Sequence, residues 1–187
     1  MKFEHWLYFY RARICALFKL EDRAIENYKL ALAANPAFSL SASCLGHLYA
    51  SRSQVHLAEQ CFQQALQINP KDAISHFNIG FLYERQRQYG KAIDAFGVAL
   101  ELSPKLDRAW YGMGLAHAAL NQHESAAKAL EKAAELQPMN PHAWYGLGMA
   151  YHTLGNKQKV AEIIEHLNRF DPKMTQQLIK ETTAGAH

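Results

Sequence analysis

The stretch AISHFNIGFLYERQRQYGKAIDAFGVALELSPKL, residues 73–106, is followed by DRAWYGMGLAHAALNQHESAAKALEKAAELQPMN, residues 107–140, and the two share one frame. Each has a glycine at position 8 (Gly80, Gly114), an alanine at 20 (Ala92, Ala126), a large apolar residue at 24 (Phe96, Leu130), an alanine at 27 (Ala99, Ala133) and a proline at 32 (Pro104, Pro138). Working outward, Pro36, Pro70 and Pro172 fall on the same 34-residue lattice, which so takes five of the six prolines. A fixed step of this kind marks a repeat architecture. It cuts the chain into units 5–38, 39–72, 73–106, 107–140 and 141–174.

Each column has a packing reason. A unit of this length holds two helices of about 14 residues, each roughly 21 Å long. Apolar residues recur at helical spacing, as in Leu45, Leu48 and Tyr49 or Ala126, Leu130 and Ala133, and no strand-like alternation appears. Small residues at 8 and 20 let paired helices approach, and large ones at 4, 11 and 24 fill the space beside them. The proline at 32 cannot continue the second helix and is expected to stop it. The reading is all-α: five helix–turn–helix hairpins in a single array over 1–174, followed by a cap and tail over 175–187. Thr175 to Thr183 are expected to form the capping helix, with Leu178 and Ile179 covering unit 5 and Gln176, Gln177, Lys180 and Glu181 left wet.

These columns resemble the tetratricopeptide repeat (TPR), with its W-x2-L-G-x2-Y, A-x3-F-x2-A and P signature. Unit 3 keeps Ile79-Gly80-x2-Tyr83, Ala92, Phe96, Ala99 and Pro104; unit 4 keeps Trp110, Gly114, Ala126, Ala133 and Pro138. Departures cluster at the ends, where Arg11-Ala12 replaces Leu-Gly and Val160 and Leu167 replace alanine. Terminal repeats are often atypical because one side faces solvent. The resemblance implies a right-handed α-α superhelix (solenoid) whose first helices line a concave wall. It implies inner positions near 2, 5, 6, 9, 12 and 13 of each unit. There the chain places Phe9, Arg13, His47, Phe77, Asn78, Phe81, Arg108, Tyr111, Tyr145 and Met149.

A wall rich in rings that the hairpin motif does not need points to a binding surface. The function expected is a non-catalytic adaptor that takes a peptide or helix of a partner protein in this groove. Gly112 and Gly146 are expected to leave pockets beside Tyr111 and Tyr145. The two-carboxylate clamp of chaperone-binding TPR modules is not expected. Its positions hold Ser43, His47, Asn78, Arg108 and Gly112, of which only Asn78 fits outright and Arg108 by charge. The alternative is a structural protein that forms homo-oligomers through its end faces and its aromatic first helix. Trp6, Phe9 and Tyr10 are accordingly expected to pack internally, to meet another copy, or with Arg11 and Arg13 to lie at a membrane surface.

Composition narrows the classes further. The net charge is +3, and no 34-residue segment departs from neutrality by more than two charges, so the dense basic face that nucleic acid requires is absent. Three dispersed cysteines, Cys15, Cys44 and Cys61, form neither a disulfide framework nor a zinc knuckle and fit the cytoplasm. Glu4, Arg11 and Arg13 make the first twenty residues unlike a signal peptide, and no run of 18 apolar residues spans a membrane.

Catalytic readings fail on context. His142 and His152 are ten residues apart on one helix, about 15 Å, too far to share a metal; no metal or other cofactor is expected. Gly112-x-Gly114 and Gly146-x-Gly148 follow no strand, as a dinucleotide loop must. Glu162, Glu165 and His166 are read as a solvated helix face.

Overall fold

The computed structural model describes residues 3–183. Eleven helices appear among them and no strand: α1 Glu4–Leu17, α2 Glu21–Ala34, α3 Ser39–Ser51, α4 Val55–Ile68, α5 Ala73–Arg85, α6 Tyr89–Leu102, α7 Asp107–Ala119, α8 His123–Leu136, α9 Pro141–Thr153, α10 Lys157–Asn168 and α11 Pro172–Thr183. Each 34-residue unit therefore holds two helices, and the all-α hairpin reading holds. The chain divides into two compact units, one running to Leu82 and the other starting at Tyr83.

Every hairpin turns in the same way. Position 15 of each unit, Lys19, Ser53, Arg87, Asn121 and Gly155, is left-handed, with φ between 58° and 72°. The N–H one residue later reaches back five residues to a helix carbonyl, Leu20 to Cys15, Gln54 to Tyr49, Gln88 to Tyr83, Gln122 to His117 and Asn156 to Tyr151, at 2.8–2.9 Å. This closure satisfies carbonyls that the helix end leaves open. At the other end of a hairpin the residue before proline is pushed out of the helical region. Asn35, for example, has φ −147° and ψ 96°, so α2 ends at Ala34.

Pro172 behaves differently from its lattice partners. α10 already ends at Asn168, and Pro172 opens α11 as its first residue, where its missing N–H loses nothing. The off-lattice Pro141 does the same for α9, with Asn140 accepting from the His142 N–H at 3.1 Å. The capping helix thus begins three residues earlier than Thr175 and packs on α9 and α10. Leu178 is fully buried, but Ile179 is 40% exposed: a helix turns about 100° per residue, so two neighbours cannot both face the core. The tail beyond Thr183 lies outside the described residues.

The large residue at position 24 bolts the second and fourth hairpins; in the fifth, Leu178 and Ile163 meet Gly148 instead. An added Cβ at Gly46 would meet the Phe62 ring at 2.8 Å, and one at Gly114 would meet Leu130 at 2.6 Å. The same side chains reach the first helix of the next hairpin, Phe96 at Gly112 and Leu130 at Gly146. Phe62, Phe96 and Leu130 are each 1% exposed. At position 4, His76, Trp110 and Trp144 bind the carbonyl of the preceding unit's proline, at 3.0, 2.9 and 2.8 Å. His166 is not on a solvated face. It lies 4.1 Å from Trp144 and edge-on to Phe170, and its buried Nε2 has no hydrogen-bond partner.

Candidate functional site

In the second compact unit, α7 and α9 run side by side and expose the residues at positions 5, 9 and 12–13 of two consecutive hairpins. Tyr111, Leu115 and Ala118 of α7 and Tyr145, Gly146, Met149 and Thr153 of α9 line a cavity of about 240 Å³, floored by Leu130 and Ala150 and edged by His123 and His142. The lining is apolar with a polar rim, as in sites that seat one side chain of a ligand.

Tyr145 is positioned from outside the cavity. The Tyr145 hydroxyl donates to the Glu181 carboxylate, and the Gln177 amide donates to that hydroxyl at 3.5 Å. Burial raises the Tyr145 phenol pKa and the Glu181 contact raises it further; the same bond, then that from Gln177, lowers the Glu181 carboxyl. Burial also raises Tyr111, with a smaller push from Glu84. A carboxyl lowered by folding stabilises the fold above its ordinary range, and that contribution is lost as the pH falls through it. Acidification through the carboxylate range therefore loosens the hold of α11 on Tyr145. In alkaline titration followed by tyrosinate absorbance, Glu181→Gln is expected to make Tyr145 ionise at a lower pH. An unchanged profile would separate the two groups.

Of the residues expected to line the wall, the structure brings Tyr111, Tyr145 and Met149 to this one cavity, with Arg108 exposed on the first turn of α7. Arg13 and His47 are exposed, Phe77 and Asn78 are half-buried on α5, and Phe81 is 44% exposed there. Arg13 lies close enough to act on the hydrogen-bonded pair of Tyr28 and Cys44. Phe9 does not belong to any open wall. It is 2% exposed, closed in by Phe38, Tyr28 and Trp6 at ring distances of 5.2, 5.8 and 5.9 Å. The pocket expected at Gly112 is likewise filled, because the Phe96 ring would stand 2.6 Å from a Cβ there. At Gly146 the filler is the shorter Leu130, which would still stand 3.2 Å from a Cβ, and the glycine borders the cavity rather than opening a pocket of its own. Leu115 and His142, which the repeat frame also places at inner positions 9 and 2 of their units, line the cavity as well; Ala118 was not expected there, and its position 12 on the same first helix is the signal for it.

Among the described residues no group of three His, Cys, Asp or Glu side chains could hold a metal, and no helix is long and apolar enough to cross a membrane. Paired hairpins repeated at a fixed step, with an open apolar cavity on two of their first helices, define a helical-repeat protein. The chain belongs to the tetratricopeptide repeat family: models described as tetratricopeptide repeats match residues 73–106 and 111–169, and one described as a TPR repeat matches 46–87. No curated protein matches the chain. Similar solved structures include the MamA protein, with TM-score 0.81, 22% identity, and coverage of 94% of this chain and 96% of that one. PilW, described as a widely conserved type IV pilus biogenesis factor, has TM-score 0.82, 20% identity, and coverage of 97% and 87%. YrrB, described as a TPR protein with an unusual peptide-binding site, has TM-score 0.77, 19% identity, and coverage of 92% and 90%. At these identities the likeness is one of fold.

Proposed function

We propose that the chain is a non-catalytic adaptor that binds a peptide or helix of a partner protein along its first helices, with the α7–α9 cavity receiving an anchor side chain. The observation that carries this reading is the open space of about 240 Å³ between Tyr111, Tyr145 and Met149. A folded chain ordinarily fills such a void, because an empty one forfeits dispersion contacts on every wall. Its volume suits one leucine-, methionine- or phenylalanine-sized group. The neighbouring Arg108, and Phe81, Asn78 and His47 on their own helices, extend the same reading to further contacts. The peptide-binding site that names YrrB lends it analogy only. The cytoplasmic setting drawn from the dispersed cysteines belongs to the same proposal.

Burying one anchor ring or aliphatic group is worth roughly 1.5–3 kcal/mol, so several contacts are needed to exceed the cost of association and reach micromolar affinity. The test is capture of a partner from native extract, followed by affinity measurement on the purified pair. Tyr111→Ala with Tyr145→Ala is expected to weaken binding by about 100-fold or more. Met149→Glu, which keeps both rings but puts a charge in the cavity, should act in the same direction. Thermal melts establish that each variant is folded. Undiminished binding by folded Met149→Glu and by the double variant would refute the cavity as the site.

A further inference from the structure

The first helix carries an apolar face that the described residues leave open. Phe3, Leu7, Tyr10, Ile14 and Leu17 recur at intervals of four and three, and they are 73, 59, 53, 57 and 79% exposed. On a helix that spacing draws one straight seam, the a and d line of a two-stranded helix pair. Phe9 and Ala12, on the opposite side, are buried. The exposed fractions of the five seam side chains leave on the order of 600 Å² open, the upper end of the roughly 300–600 Å² of the largest patch on a typical monomer and most of the roughly 800 Å² that one partner gives to an interface of standard size.

A further repeat stacked in series does not fit this face. Later hairpins turn positions 3 and 7 toward the unit before them. Ser41 bonds back to the Tyr28 carbonyl and Ser75 to Ser43, and Ser41, Ser75, Ala109 and Ala143 are all 0% exposed. In α1 those positions hold Leu7, too large for such close approach, and Arg11, which would be trapped without water. Among the described residues α11 offers no matching apolar face either, since it shows Gln176, Lys180 and Glu181 to solvent. Association through α1 must therefore close on itself rather than run on as a filament.

We propose that the occupant is α1 of a second copy, laid antiparallel to form a two-fold dimer. Seam layers then pair Leu7 with Tyr10 of the other copy and Phe3 with its Ile14. In this register the flanks are complementary as well. Glu4 comes beside Arg11 of the second copy and Trp6 beside its Arg13, an ion pair and a cation–π contact, each made twice. A parallel pair brings no basic residue to Glu4. The surface also has the socket that the pairing needs. Tyr10, Arg13, Ile14 and Leu17 line a shallow depression of about 450 Å³. Their i, i+3, i+4, i+7 spacing is the four-residue hole that takes a knob from a facing helix; Phe3 of the second copy is that knob. The dimer does not use the α7–α9 cavity, so the two sites stand or fall separately.

Sedimentation equilibrium on the full chain, from about 1 to about 200 µM, is expected to show a monomer passing to a dimer and nothing larger. Glu4→Arg alone and Arg11→Glu alone each turn attraction into repulsion twice per dimer and should weaken association by about tenfold. The two together should restore it, because the pair re-forms with its signs exchanged. Ile14→Glu should give a monomer at every concentration; Arg11 is exposed and Glu4 half-buried, so neither charge variant removes a core side chain and the test survives even if Ile14→Glu fails to fold. Tyr111→Ala with Tyr145→Ala should dimerise as before. A monomer throughout, a species larger than a dimer, or failure of the exchanged pair to restore association would overturn the proposal. So would a wild-type monomer that pellets with phosphatidylglycerol vesicles, which would assign the face to lipid.

Discussion

Phe96→Ala is expected to destabilise the fold by about 3–5 kcal/mol, and Gly112→Ala alone by about 1–2 kcal/mol, yet in the Phe96→Ala background Gly112→Ala should become stabilising. The reversal follows from two opposed effects at one position. Alanine is the better helix former, by about 0.5–1 kcal/mol over a mid-helix glycine, and Gly112 lies in the middle of α7. Against this, an added Cβ would stand 2.6, 2.9 and 3.2 Å from three atoms of the Phe96 ring. That ring is 1% exposed and has nowhere to move, so overpacking of about 1–3 kcal/mol wins. Removing the ring removes the obstacle, and only the helix gain is left. Gly97→Ala in α6 is the control, because its nearest outside atom is the flexible Met113 methyl at 4.0 Å, and it should stabilise by about 0.5–1 kcal/mol. Urea denaturation of the four proteins completes the cycle, the two sites being in contact and so expected to couple. If Gly112→Ala stabilised the wild type, the ring could not be seated where it is described.

The helices were legible because they follow from period alone. Alanines at 20 and 27 and prolines at 32 repeat where close approach and termination recur, and α2 to α8 end within the units they define. The turns were not. Position 15 is left-handed in all five hairpins, but only Asn121 and Gly155 are residue types that favour it. Lys19, Ser53 and Arg87 adopt it because the reach-back bond to the helix end holds them there, which a single residue does not announce.

The site was half legible for a related reason. Position 5 is occupied by Phe9, Tyr111 and Tyr145 alike, and the difference lies in what covers them. Phe38 closes over Phe9, whereas α7 and α9 leave a space between the two tyrosines. Gly112 and Gly146 read identically too. What separates them is the size of the residue sixteen places earlier, a phenyl ring in one case and a leucine in the other. Exposure is a property of neighbouring hairpins, so a column of one repeat cannot carry it.

The capping helix gives the second large effect. Leu178→Asp is expected to destabilise the molecule by about 3–5 kcal/mol, while Ile179→Asp next to it should change stability by less than about 0.5 kcal/mol. Leu178 is 0% exposed within the cluster of Leu130, Leu147, Ile163 and Leu167, and its methyls lie 2.7 and 3.0 Å from the Cβ position of Gly148. A carboxylate there would be stripped of water with no cation beside it, at a cost beyond what the contacts return. Undocking of α11 is the cheaper escape, so the loss is set by the leucine contacts given up rather than by the full penalty of a buried charge. Release has a second, local reading: Glu181 and Gln177 leave with the helix, and the Tyr145 hydroxyl loses both partners. The Leu178→Asp protein should accordingly show faster amide exchange in α9 and α10 and a Tyr145 that ionises at lower pH, and the Ile179→Asp protein neither. The two residues are adjacent, aliphatic and equal in size; only the turn of about 100° between them sends one inward. Equal responses from the pair would mean that α11 is not held through Leu178, and the shaping of Tyr145 by this helix would have to be abandoned with it.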